Sequence, residues 1–387
     1  MKLHNLSNCL TEKFSLYNPQ YSLDEDIVCQ TYNFESDLSF DFPMCKVCSI
    51  YGQDTALESG ERENQKFRYA LFAPSHRERF SEAIVLLHGL NERDWAKYLP
   101  WAYSLALQTQ KPVIMFPIAY HINRSPQTWT TPRLMNQLSN NRRAMLPEMS
   151  NSSFANVALS IRLDFSPELF LLSGIQTFFD VINLCAKIKE GHFPIFDEGS
   201  KIDFFAYSIG ALLTEVLLIS NPQQLFTGSR AFLFCGGSTF DKINGSSRSI
   251  MDSKAFSRLQ DYMIHNTSIP DKVKKLPQKH TPFLDEGWKA LLVMSGIQEY
   301  ADQRENAFKN LENRVQAIGL LGDEVVPGEA IRETFAQSSC CNVDVLDFPF
   351  SYSHAAPFPM RTQKQSDSVS VDRSFYQVFD KASTFLV

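Results

Sequence analysis

The stretch Ile202-Asp203-Phe204-Phe205-Ala206-Tyr207-Ser208-Ile209-Gly210 decides how this chain is read. Its first five residues form an apolar run of strand length. From Ile209 to Ile219 the chain is apolar over a helical length, and it stops at Asn221-Pro222. A strand that gives way to a helix within a few residues leaves Ser208 on a tight turn, flanked by small residues at Ala206 and Gly210. Bulkier neighbours there would collide with the adjoining strand and helix. The serine is then exposed at the C-terminal end of the strand, and the helix behind it offers positive potential and the Ile209 N–H.

Outward from this turn, four further apolar runs are nearly free of charge: Ala83 to Leu87, Val113 to Phe116, Ala231 to Phe234 and Val315 to Leu321. Runs apolar on both faces belong to parallel strands covered by helices on each side. Val343 to Leu346 is read as an added strand and Phe67 to Phe72 as an antiparallel edge. Helical periods lie between the strands: one opens at Ser166-Pro167 and ends near Gly191, and another closes the chain through Phe375, Val378, Phe379, Ala382 and Phe385. The alternation predicts an α/β fold with a mostly parallel central sheet flanked by helices.

Residues 1–62 alternate short apolar runs with Asn, Asp, Ser and Pro and are read as an irregular N-terminal extension to a domain at 63–387. Two segments of the domain, about 121–164 and 238–310, are too long for plain connections and are read as inserted lid segments.

The 387 residues are 44% hydrophobic with a net charge of −6, ample for a large core and without the basic field that nucleic acid or anionic lipid would need. The start, Met1 to Asn8, lacks the apolar segment of a secretory signal, and no later stretch reads as a membrane span, so the cytoplasm is the expected compartment. Of the eight cysteines, Cys185 and Cys235 sit in apolar runs as small hydrophobes. Cys45-Lys46-Val47-Cys48 lacks the second pair a metal site needs, so these are read as reduced thiols. No GxGxxG, Walker lysine loop or HExxH is present, and no cofactor or metal is expected.

Around the Ser208 turn, three further elements occur in order: His88-Gly89-Leu90 after the first parallel run, Gly322-Asp323-Glu324-Val325-Val326-Pro327 after a late one, and Ser353-His354-Ala355-Ala356-Pro357 before the closing helix. With these the chain, from roughly Phe67 to its end less the two insertions, resembles the α/β-hydrolase superfamily. Ala206 replaces the Gly usual before that family's nucleophile. The resemblance implies Ser208 as nucleophile, His354 as general base and Asp323 as the acid that orients it, with Leu90 and Ile209 giving the oxyanion N–H groups. It makes His88 a turn-shaping residue. Glu324, Asp241 and Asp252 remain alternative acids, and His265 and His280 alternative bases in the wrong order.

Tyr207, Tyr120, His121, Arg124, Trp129 and Arg162 are the candidates to line a substrate pocket, the two arginines either holding an anionic group or closing internal ion pairs. The expected activity is a serine hydrolase cleaving an ester, thioester or amide of a small-molecule or peptide acyl substrate. The alternative is a catalytically inactive, hydrolase-like binding protein. Carboxylesterase, thioesterase, lipase and peptidase are not distinguished, and nothing in the sequence specifies an oligomeric state.

Overall fold

The structure, a computed structural model, describes residues 2–40, 61–277, 281–336, 341–360 and 365–387. Cys45, Cys48 and His280 lie outside the described residues.

Nine strands form one sheet: β1 (Gln20–Ser22), β2 (Ile27–Glu35), β3 (Lys66–Pro74), β4 (Phe80–Leu87), β5 (Val113–Met115), β6 (Phe196–Tyr207), β7 (Ala231–Phe234), β8 (Val315–Leu320) and β9 (Asn342–Leu346). Their order is β1-β2-β3-β5-β4-β6-β7-β8-β9. The six strands from β5 to β9 in that order pair in parallel, while β1, β2 and β3 are added by antiparallel pairing. The helices that matter below are α1 (Leu3–Lys13), α2 (Leu99–Thr109), α3 (Pro132–Met145), α4 (Val157–Phe165), α5 (Glu168–Lys189), α6 (Ile209–Ser220), α7 (Ser253–His265), α8 (Thr281–Met294), α9 (Gly328–Phe335) and α10 (Gln365–Leu386).

The parallel strands are apolar on both faces because each face builds a separate core. Phe205, Tyr207, Phe232 and Phe234 point into a layer closed by α1, α2 and α10. Their neighbours Phe204, Ala206, Ala231 and Leu233 point into a second layer with α5, α6 and α8. This is the period-two alternation of a strand acting on two cores at once. The mostly parallel sheet covered on both faces is the α/β-hydrolase architecture that the motifs implied.

Three expectations need correction. Residues 20–35 are not irregular: β1 and β2 extend the sheet, and β2 pairs with β3 along its whole length. Polar Gln30, Thr31 and Asn33 hide the strand in the sequence because this margin of the sheet is only partly covered, with Ile27, Cys29 and Phe34 buried between them. Consequently Phe67 to Phe72 is not an edge, since β3 lies between β2 and β5. The third concerns α5, a 22-residue helix that is by length and composition long and apolar enough to cross a membrane. Most of it is buried inside the protein, as for a core helix.

The two long insertions are helical and meet each other, α4 against α7. Arg142 on α3, fully buried, clasps Asp252 of the second insertion through Nε at 2.5 Å and Nη2 at 2.9 Å, and Asp164 of the first through Nη1 at 2.9 Å. A buried guanidinium needs such paired acceptors, since stripping one away leaves an uncompensated charge. Asn91, just after β4, donates to Ala155 O and Ser249 O and so ties both insertions to the sheet edge.

Candidate active site

Chain order reverses direction across the sheet at β4, since β5 lies on one side of it and β6 on the other. A crevice opens beyond the C-terminal ends of two such strands. Leu90 follows β4 and Ser208 follows β6, so both flank this crevice.

Ser208 has φ 56° and ψ −121°, a conformation L-residues avoid, and holding it there costs about 1–3 kcal/mol. The surroundings leave no room for relaxation. A Cβ on Gly210 would lie 2.6 Å from Leu87 O and 2.9 Å from His88 O. One on Gly236, after β7, would lie 2.5 Å from Ala211 Cβ and 2.8 Å from Ser208 O. The role of Gly210 was legible in the sequence; that of Gly236 was not, because it depends on the neighbouring strand.

Ser208, His354 and Asp323 form one hydrogen-bonded chain. His354 Nε2 is 2.7 Å from Ser208 Oγ, and His354 Nδ1 is 2.7 Å from Asp323 Oδ2. The other carboxylate oxygen, Oδ1, accepts the Val325 and Val326 N–H groups at 2.9 and 3.0 Å. A carboxylate facing Nδ1 places the imidazole proton on that nitrogen, which turns the Nε2 lone pair towards the serine hydroxyl. All three side chains are buried.

The other candidate acids and bases are placed elsewhere. Asp252 caps α7 and binds Arg142, Glu324 is exposed, and Asp241 lies beside Gly296. His265 is exposed, with its Nδ1 on Asp261 O.

Several neighbours whose part in the site the sequence reading missed surround this hydrogen-bonded chain. The Tyr207 hydroxyl donates to His354 O, and its ring stacks on the imidazole with centroids 5.3 Å apart. Cys235, read as a small hydrophobe, is fully buried near Asp323; burial and that carboxylate push its thiol pKa well up. The Tyr98 hydroxyl accepts the Gly89 N–H at 2.9 Å and donates to Glu92 Oε1 at 2.7 Å.

With Gly89 occupied, the next amide, Leu90, has no acceptor among the described residues. Ile209 is the first residue of α6, where an N–H has no intrahelical acceptor. These are the two amides expected to serve an oxyanion. His88 shapes their turn: its Nδ1–H reaches Gly89 O at 2.8 Å and its Nε2 accepts the Ile118 N–H at 2.9 Å. Full burial pushes its pKa well below the usual imidazole range, so the ring is neutral.

Of the proposed pocket residues, Tyr207 borders the site and His121 lines an apolar channel beside it. Burial lowers the His121 pKa to about 4. Tyr120, Trp129 and Arg162 cluster together, the guanidinium 4.3 Å and 4.6 Å from the two ring centroids, and burial lowers the arginine pKa to about 10. Arg124 stands apart in the core, bound to Asp180 at 2.8 Å and to the carbonyls of Asn64 and Pro117. No group of three or more metal-ligating side chains occurs among the described residues.

Three cavities converge on the turn. The channel lies between α5, α6 and α8, is partly open to solvent, and includes Leu90 and Ile209 in its lining. A smaller apolar cleft contains Ser208 and shares Leu90, Phe170 and Ile209 with it. The third cleft is polar, bordered by His354, Tyr207, Glu92, Arg93 and Asp94.

The chain is similar to a cold-adapted esterase from an Arctic intertidal metagenomic library, at 10% identity over 96% of this chain and 98% of that one, with a TM-score of 0.43. It is similar to carboxyl esterase 2 of the fungus Tuber melanosporum at 9% identity, over 97% and 96% of the two chains, TM-score 0.44. A peroxisomal α/β-hydrolase of Saccharomyces cerevisiae gives 12% identity, 93% and 91% coverage and a TM-score of 0.41. At such identities and TM-scores these likenesses carry no argument about activity. No curated protein matches the chain. A family of unknown function, DUF6051, matches residues 23–387, and the chain therefore belongs to that family.

Proposed function

We propose that this protein is a serine hydrolase that cleaves an ester, thioester or amide through an acyl-enzyme on Ser208. The observation that carries the reading is the unbroken hydrogen-bonded run from Ser208 Oγ through His354 to Asp323, at 2.7 Å in both steps, on a strained strand-to-helix turn. In this reading His354 Nε2 takes the hydroxyl proton as Ser208 Oγ bonds to the substrate carbonyl carbon. The carbonyl oxygen becomes an oxyanion held by the Leu90 and Ile209 amides, and Asp323 stabilises the imidazolium.

His354 then protonates the leaving group, and the acyl–oxygen bond to Ser208 is cleaved by water activated by the same imidazole. The two helical insertions act as a cap that excludes bulk water. The rival reading, an inactive binding protein, called for Ser208 and His354 to stand apart; no observation favours it.

The test is a fluorophosphonate probe, which reacts with an activated serine. Wild type becomes labelled on Ser208, and Ser208→Ala does not, while a panel of acyl esters is cleaved by wild type alone. Folded wild-type protein that stays unlabelled and cleaves none of the panel would defeat the proposal.

A further inference from the structure

Of the three cavities at the turn, two are apolar and one is polar, and the reaction geometry sends the two ends of the substrate to opposite kinds. The leaving group must receive its proton from His354, so it departs into the cleft that His354 borders, where Glu92, Arg93 and Asp94 stand. The acyl group extends from the oxyanion amides; Leu90 and Ile209 together line the two apolar cavities, of which the channel between α5, α6 and α8 is the larger.

Its length can be read from the helices that wall it. The channel follows α6 from Ile209 to Val216 and α5 from Phe170 to Phe178. Seven or eight residues of helix rise about 10–12 Å, the extended length of roughly eight carbons. It narrows where Phe178 meets α8: a Cβ on Gly287 would lie 2.8 Å from the Phe178 ring. Midway along the Phe170 to Phe178 stretch of α5, Gly174 lines the channel with nothing within 4 Å of the position its Cβ would take. A Cβ added there meets no atom, which makes this the position from which a larger side chain can be introduced.

Resting on the serine-hydrolase reading above, we infer that the substrate carries an unbranched apolar acyl chain of roughly eight carbons in the channel between α5, α6 and α8, joined to a polar leaving group. The alcohol, thiol or amine portion is thus the hydrophilic end of the substrate. Each methylene moved from water into such a channel contributes about fourfold in binding.

The test uses p-nitrophenyl esters from two to sixteen carbons, with two further esters of opposite polarity, mono-octanoylglycerol and octyl acetate. kcat/KM rises about threefold to fourfold per methylene up to roughly eight carbons and then levels or falls. Mono-octanoylglycerol is cleaved at least tenfold better than octyl acetate.

Gly174→Phe and Gly174→Leu, each checked for folding by circular dichroism, plug the channel halfway. They collapse the octanoate-to-butanoate preference from roughly 250-fold, four methylenes at fourfold each, towards unity. A flat chain-length profile, equal loss on every ester, or preference for octyl acetate overturns the inference.

A binding arm separates this failure from that of the catalytic reading. Calorimetric titration with octanoate finds binding to wild type and to Ser208→Ala but not to Gly174→Phe, whether or not any ester is cleaved. Octanoate that binds no more tightly than acetate removes the channel from substrate recognition even if the fluorophosphonate probe labels Ser208.

Discussion

Asp323→Asn tests the proposed catalytic unit most sharply, because the structure dictates which way the new amide turns. Asp323 Oδ1 accepts two backbone N–H groups, from Val325 at 2.9 Å and Val326 at 3.0 Å. Those donors need an acceptor, so the asparagine carbonyl oxygen takes that position and the NH2 takes the place of Oδ2, 2.7 Å from His354 Nδ1. A donor facing Nδ1 forces the imidazole proton onto Nε2, where it faces Ser208 Oγ as a donor and can no longer accept the serine proton. The wrong tautomer costs about 10⁴-fold in kcat in serine hydrolases of this type, or about 5 kcal/mol of transition-state stabilisation. The substitution is isosteric and keeps both backbone bonds, so the fold is expected to persist by circular dichroism. The assay is kcat/KM on the best ester of the panel, together with the rate of fluorophosphonate labelling, each falling by three to four orders of magnitude. A variant within tenfold of wild type would refute the tautomer argument and redirect the search for the acid to Glu324 or Asp241.

Tyr207→Phe removes the hydroxyl that bonds His354 O while keeping the ring stacked on the imidazole. It should lower kcat about tenfold with little change in KM, and a loss confined to KM would instead place the hydroxyl in substrate binding. Glu215, on α6, is buried with neither oxygen hydrogen-bonded among the described residues, and burial raises its pKa well above the ordinary 4.5. Below that value both folded and unfolded chains carry the proton, and stability is undiminished. As pH rises further the unfolded chain releases the proton while the folded chain keeps it, so stability falls by up to about 1.4 kcal/mol per pH unit until the folded pKa is reached. Glu215→Met removes this slope, and its gain over wild type in urea denaturation should grow between pH 5 and pH 7. A gain independent of pH would show that Glu215 does not titrate differently on folding.

The sequence disclosed the four segments of the candidate site but not what surrounds them, and the topology explains the division. Parallel strands all point their C-terminal ends at one edge, so whatever directly follows them is brought to that edge without any further specification. Leu90 follows β4, Ser208 follows β6, Asp323 follows β8, and His354 lies on the loop after β9. Strand ends are easy to find in an apolar run, and so these residues could be proposed from pattern alone. Arg124, chosen from a long insertion, had no such constraint and is held in the core by Asp180.

Gly236 and Cys235 satisfied the strand-end condition too, after β7, yet neither was read as part of the site. What surrounds them, Ala211 and Ser208 for the glycine and the Asp323 carboxylate for the thiol, is set by the finished packing, which no local pattern records. The apolar channel was further still from view, since Phe178, Val216 and Gly287 share no motif and meet only because α5, α6 and α8 pack side by side. A parallel sheet therefore makes the candidate catalytic groups legible and the proposed specificity obscure: the former sit at positions the strands define, while the proposed acyl channel is formed by helix faces whose meeting depends on the finished packing. The chain-length preference governed by Gly174 is the measurement that tests this second, less legible half.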